Sequence, residues 1–260
     1  MRLEPDTSGS RGGVTMAVTG PIATVTISGP TRHNILTRDI LNDLTEATTL
    51  LTANTSVTVM VLTGDGKHFS AGLDIPVLEA NIGSPFLDAV TALARFPGST
   101  IAAVRGSCIG AGVGLAVACD LRIAAEGARF GVTAARLGVL YPAKTMESLV
   151  DLIGVGAAKH LLLTGDLIDS LTAHRWGLVT EVVNEDALDE RIGVLGAGIA
   201  SRSAYSVIGS KRMIDAIARG DDASFVEADW SRSPSSALDS NVGRRAFLEK
   251  SQPTFTWGRG

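Results

Sequence analysis

Two glycine-rich turns hold the residues of this chain best suited to chemistry. The first is Gly64-Asp65-Gly66-Lys67-His68-Phe69-Ser70-Ala71-Gly72-Leu73-Asp74. The second runs through Gly106, Gly110, Gly112 and Gly114 and closes at Asp120. Each follows an apolar run without polar alternation, Val57 to Leu62 and Ile101 to Val104, which reads as a strand buried on both faces. Glycine after such a strand lets bare backbone approach a ligand with its N–H groups free. One turn of this kind holds a phosphate or a developing oxyanion equally well. Two of them can each aim an N–H at the same carbonyl oxygen, and so stabilise the enolate formed when a thioester loses an α-proton or a carboxylate.

A nucleotide site is the competing reading. Gly106, Gly110 and Gly112 follow a strand, and Glu126 ends the next one, which imitates a dinucleotide fingerprint with its ribose-binding acid. The segment from Gly112 to Asp120 is too short for a full crossover helix, and the strand lies mid-chain rather than first. Tyr141 and Lys144 are three apart, so they do not form the Tyr-x-x-x-Lys pair of a short-chain dehydrogenase. The sequence has no P-loop, nucleophile elbow or metal-spaced His/Cys cluster. His33, His68, His160 and His174 are scattered, and Cys108 and Cys119, the only cysteines, read as small buried thiols.

The elements that position these turns follow a strand, helix, strand order. Val14 to Thr19 and Ile22 to Ser28 read as a hairpin about Gly20-Pro21, the second strand alternating Ala23, Val25 and Ile27 with polar residues. Ile40, Leu41, Leu44, Ala47 and Leu51 mark one face of a helix over 37–53. Residues 75–96 read as mostly helical with an interruption near Gly83-Ser84-Pro85. Later come short strands at Leu121 to Ala124, at Phe130 and from Gly177 to Val183. Helices are predicted over 146–153 and 157–163, separated by Gly154, and then from Leu188 to Ile199, from Ala204 to Ala218 and from Asp221 to Lys250. Repeated crossovers of this kind make an α/β layer. The 260 residues, 45% apolar and 19% charged, suit a well-buried globule. A net charge of −4 gives no sign of a nucleic-acid partner. No run suggests a signal peptide or membrane span, so a cytoplasmic location is expected.

From about residue 14 onward the chain resembles the crotonase (enoyl-CoA hydratase/isomerase) superfamily. The resemblance is carried by Thr31-Arg32-His33-Asn34-Ile35, Phe69-Ser70-Ala71-Gly72-Leu73-Asp74, Ala102 to Ala124, Leu163-Thr164-Gly165, Gly177-Leu178-Val179 and Ala246-Phe247-Leu248-Glu249-Lys250. It implies a spiral of repeated ββα units over 14–184, preceded by a loose tail at 1–13. A helical trimerisation region over 185–260 would follow, giving a homotrimer or hexamer. The implied ligand is an acyl-CoA, with coenzyme A as part of the substrate thioester and no covalently bound cofactor or metal. The oxyanion donors would be the backbone N–H groups of Leu73 and Ala111. Coenzyme A contacts would fall at Arg32, His33, Ile35, Leu73, Asp74 and Ile75, with Asp74 bracing its own turn.

The pattern departs from a hydratase of this family, which uses two glutamates on the added water. Register puts them at Gly114 and Ala134, and no Asp or Glu lies between Arg129 and Ala143. Thr133, Leu137-Gly138-Val139 and Tyr141 are instead similar to the methylmalonyl-CoA decarboxylase branch, in which a tyrosine faces the substrate carboxylate; that branch has a histidine where this chain has Leu73. The dienoyl-CoA isomerase and dehalogenase branches have an aspartate at the position of Pro142. Glu147 is the acid just downstream and is the candidate replacement. Three readings follow: an enolate-stabilising enzyme that does not use the two-glutamate hydration, a decarboxylase using Tyr141, and a non-catalytic acyl-CoA binder.

Overall fold

The alternation of Ala23, Val25 and Ile27 shapes the edge of the main sheet. The computed structural model describes residues 12–29, 33–74 and 83–257; most of the expected tail lies outside them. Strands β1 (Gly13–Thr19) and β2 (Ile22–Ser28) form the expected antiparallel hairpin, with Ala23, Val25 and Ile27 fully buried. The strands that follow are β3 (Val59–Gly64), β4 (Ser99–Val104), β5 (Ser107–Ile109), β6 (Leu121–Ala125), β7 (Arg129–Gly131), β8 (Ile168–Asp169) and β9 (Glu181–Val183). One sheet has six strands in the order β1-β2-β3-β4-β6-β9, parallel after the first pair.

The apolar runs that lacked alternation are buried from two sides. Met60, Leu62, Ala102 and Val104 face the larger core. Val59, Val61, Ile101 and Ala103 face a second cluster that includes Leu188 and Ile192. Helix α1 (Arg38–Ala53) lays Ile40, Leu41, Leu44, Ala47 and Leu51 on the larger core, and Thr37 caps it by accepting from the N–H of Ile40. The helices after it are α2 (Gly83–Ala94), α3 (Ala111–Val117), α4 (Ala143–Thr164), α5 (Ser170–Arg175), α6 (Leu188–Ala200), α7 (Ala204–Ala218), α8 (Ala223–Ser231) and α9 (Pro234–Glu249). It is α6 that covers the second face of the sheet.

A smaller sheet, β5-β7-β8, stands beside the first. Single bridges, Ser70 to Cys108 and Leu36 to Leu73, continue it through the two glycine turns. A long strand, a short strand and a helix therefore recur along the chain, most plainly as β4, β5 and α3. Among the described residues no helix is long and apolar enough to cross a membrane.

Several boundaries differ from expectation. Glycine at 106 and 110 concealed β5, a strand in the middle of the second turn. The first predicted run is shifted, since β3 starts at Val59. Gly83-Ser84-Pro85 begins α2 instead of breaking a helix, because proline fits the first helical turn, where its missing N–H has no partner to lose; residues 75–82 lie outside the described residues. Gly177 to Thr180 are not strand, and only Glu181–Val183 pair. Gly154, at φ 73° and ψ 164°, does break α4 into two helical segments, as expected, although their outer limits are wider. The last helical stretch divides at Arg232-Ser233, with Pro234 opening α9.

The second turn is closed at its ends. The N–H of Thr100 donates to Asp120 Oδ2 and the N–H of Asp120 to Thr100 Oγ1, both at 2.8 Å. Lys211 of α7 reaches the same carboxylate at 2.8 Å and donates to the carbonyls of Phe96 and Gly98. The C-terminal helices are thereby pinned to the root of α3.

Candidate active site

Asn34 organises the first turn. It is fully buried at φ 56°, in the left-handed region that asparagine tolerates better than most residues. Its Oδ1 accepts from the N–H of Gly29, and its Nδ2 donates to the carbonyls of Asp65 and His68. Ser70, also buried, donates its hydroxyl to Asn34 O and accepts from the N–H of Gly72. Chain 33–36 is then laced to 71–74: the N–H groups of Ala71, Leu36 and Asp74 donate to His33 O, Gly72 O and Leu36 O.

The second turn is bonded to the first in the same way. The N–H of Ser70 donates to Ser107 O and that of Ile109 to Ser70 O, both at 2.9 Å. Gly106 has φ 49°, and a Cβ there would lie 2.2 Å from Lys67 O and 2.6 Å from His68 Nδ1. That nitrogen accepts from the N–H of Ser107. Partial burial, with His33 and Lys67 nearby, holds the His68 imidazole below its ordinary pKa. His33, itself exposed, stacks on it with ring centroids 4.0 Å apart.

Two unpaired N–H groups, one on each turn, are of interest. Among the described residues no hydrogen bond uses the N–H of Leu73 or that of Ala111. They lie on touching turns: a Cβ built on Gly72 would stand 3.6 Å from Ala111 N and 2.9 Å from Ile109 O. Gly110, at φ 54° and ψ −116°, starts α3 at Ala111 with no side-chain cap. Both donors therefore stand on turns that are hydrogen-bonded to each other.

One turn further along α3 the surroundings change. A Cβ on Gly114 would lie 2.5 Å from Phe86 Cζ, 3.0 Å from Thr145 Cγ2 and 3.1 Å from Tyr141 Oη. Phe86, Tyr141 and Thr145 are all buried, and Thr145 Oγ1 has no hydrogen-bond partner among the described residues. The Tyr141 hydroxyl donates to Gly110 O at 3.0 Å. Burial, with the Cys108 thiol adding to it, pushes the phenol well above its ordinary pKa, so it stays a neutral donor. Gly110 O belongs to the same peptide as the Ala111 N–H, so the tyrosine fixes and polarises that amide.

The structure brings Leu73, Ala111 and Tyr141 together, with Ile35 and Asp74 half-buried alongside. Arg32 and Ile75 lie outside the described residues. Glu147 is on the exposed face of α4, and Arg136 pairs with Asp166 at 2.7 Å. Ala134 is half-buried against the core. Burial pushes up both thiols, that of Cys119 to about 12, so neither is a nucleophile. Among the described residues no group of His, Cys, Asp and Glu is placed to hold a metal ion. Sequence reasoning missed Asn34 and Ser70 as organisers, though both lie in motifs it singled out. It missed Phe86 and Thr145 altogether, because their proximity to Gly114 exists only in three dimensions.

Comparison with known proteins agrees with this geometry over nearly the whole chain. The sequence model described as Enoyl-CoA hydratase/isomerase matches residues 18–258. A protein of Mycobacterium tuberculosis named "Probable enoyl-CoA hydratase echA8" is 34% identical over 248 residues, covering 90% of this chain and 94% of that protein. A crotonyl-CoA hydratase of Syntrophomonas wolfei is 32% identical over 247 residues, with 90% and 94% covered. The crystal structure of an enoyl-CoA hydratase/isomerase family member superposes with a TM-score of 0.89 at 32% identity, covering 96% of this chain and 100% of that one. Paired turns, a parallel sheet and full-length similarity converge on one conclusion: the chain belongs to the enoyl-CoA hydratase/isomerase family, within the crotonase superfamily.

Proposed function

We propose that this protein binds an acyl-CoA thioester and stabilises its enolate through the backbone N–H groups of Leu73 and Ala111, without the two-glutamate hydration step. The observation that carries the reading is the pair of unpaired N–H groups, those of Leu73 and Ala111, on two turns that hydrogen-bond to each other. Donors fixed in advance stabilise charge as it develops, with no reorganisation during the reaction. Position 114 is walled in by Phe86, Thr145 and Tyr141, and position 134 is alanine, so neither supplies a carboxylate to activate water. General acid–base work of that kind needs a titratable group within hydrogen-bond reach. Glu147, exposed on α4, is a weaker candidate for that part than it was from sequence.

The second reading is decarboxylation, with Tyr141 acting through the donor peptide because its hydroxyl already donates to Gly110 O. Loss of carbon dioxide needs enolate stabilisation and no strong base. In our reading Tyr141 is a positioning residue that acts through the Gly110–Ala111 peptide. His33, Ile35, Leu73 and Asp74 border the coenzyme A side, with Arg32 and Ile75 assigned there from the motif. Exposed Phe225, Phe247 and Leu248 support a homotrimer or hexamer through the helices after residue 185.

The test is turnover of a panel of enoyl-, dienoyl- and malonyl-type CoA thioesters followed by mass spectrometry, with Ala111→Pro and Tyr141→Phe beside the wild type. Proline is well tolerated at the first position of a helix, so Ala111→Pro removes one donor with the fold kept. It should lower kcat about 10²–10³-fold. Tyr141→Phe should lower kcat about tenfold with KM and the pH profile unmoved, as expected for one lost hydrogen bond. A folded Ala111→Pro protein with wild-type kcat would exclude the backbone-donor mechanism. Acyl-CoA binding with no turnover of any thioester would establish the non-catalytic binder instead.

A further inference from the structure

Helices α2, α3 and α4 meet along one seam whose lining residues recur at one-turn intervals. On α2 these are Phe86, Val90 and Ala94. Gly114 of α3 is followed one turn later by Val117 and Ala118, and Thr145 of α4 by Ser148 and Leu152. The first level of the seam is closed, with the Phe86 ring filling the space beside Gly114. The next level is open. Val90, Ala94, Val117, Ala118, Ser148 and Leu152 border a groove of about 730 Å³ that continues towards α7.

We propose that Phe86 is the chain-length stop of the acyl site, restricting it to short acyl groups and sealing it from this groove. The proposal rests on the acyl-CoA reading above. From Ala111 to Gly114 the helix rises about 4.5 Å, which leaves room for about three or four acyl carbons at ~1.5 Å per bond. The next methylene along the seam meets the Phe86 ring. That ring is 2% exposed and packed in the larger core, where repacking around an added group is unfavourable. Beyond it lies the groove bordered by Val90, Val117 and Leu152, and of the three side chains around Gly114 the ring makes the closest approach. Phe86 thus selects substrate without taking part in the chemistry.

The experiment is calorimetric titration of the full chain with butyryl-CoA and with dodecanoyl-CoA, both saturated and unreactive towards elimination. Wild-type protein should bind the four-carbon thioester at least about tenfold more tightly. Phe86→Ala should raise affinity for the twelve-carbon thioester about tenfold or more, since several methylenes then leave water, while butyryl-CoA affinity stays within about threefold. Phe86→Leu keeps an apolar side chain on α2 and should move the ratio the same way by less, which guards against loss of fold in the alanine variant. Adding Ala118→Trp to Phe86→Ala should fill the groove and return the twelve-carbon affinity towards wild type. If wild-type protein binds both chains equally, or if neither substitution moves the ratio, the stop is refuted and the acyl-CoA reading stands. If the wild type binds neither thioester, the acyl-CoA reading falls and the stop falls with it.

Discussion

Two consecutive turns of α3 have opposite surroundings. At Ala111 the backbone presents an unused N–H, and the segments before it are bonded through Ile109 to Ser70 O and through Gly110 to Gly131 O. At Gly114 the backbone is walled off by Phe86, Tyr141 and Thr145. The first turn depends on main chain and tolerates many side chains; the second depends wholly on which side chains surround it. A scaffold divided in this way can keep enolate stabilisation while changing what else happens to the substrate. In this protein the side-chain half is crowded and holds no carboxylate among Phe86, Thr145 and Tyr141.

The largest test of the backbone half is Asn34→Ala. The substitution removes three hydrogen bonds made by a fully buried amide and places alanine at φ 56°. It should cost about 3–5 kcal/mol in urea unfolding, because Gly29 N–H and two carbonyls lose their partner. A loss under about 1 kcal/mol would mean that the first turn does not depend on this residue.

The side-chain half is tested by a cycle at Gly114 and Phe86. Gly114→Ala should destabilise by about 1–3 kcal/mol, since its Cβ has no space. In a Phe86→Ala background the same change should be nearly neutral, a coupling expected of residues in contact. Additive effects would show that the ring does not limit position 114.

The smallest effect concerns His68, which ties the two turns by accepting from the N–H of Ser107. Its pKa is lowered in the fold, so its contribution is complete above the ordinary value of 6.5. That contribution is lost as pH falls through the lower folded value, because the unfolded chain takes up the proton first. The melting temperature should therefore decline between pH ~7 and ~5 more steeply in wild type than in His68→Asn, which retains an acceptor and does not titrate. Parallel declines would remove His68 from the account.

Much of this architecture was legible in the sequence wherever a local rule decided it. The face of α1 followed from apolar spacing, and the doubly buried strands from runs without alternation. The two turns followed from glycine after strand, and the family from motif order. Local rules failed at β5, where flanking glycines masked three residues whose strand character comes from pairing with Arg129–Gly131. They failed at Pro85, which begins a helix. The wall at Gly114 was out of reach for a deeper reason. Residues 86, 114, 141 and 145 sit on different elements, and a glycine's type does not record what fills the space beside it.

The reciprocal bonds between Thr100 and Asp120 make the segment from one to the other a self-closed cassette. It carries a strand, a turn and the helix with the Ala111 donor, and it brings its own clasp. Exchanged between relatives, it would take the backbone donor along, but not the latch from Lys211 or the ring of Phe86, both of which belong to the recipient. On the function proposed above, such a graft would separate the proposed enolate donor from the proposed choice of acyl group.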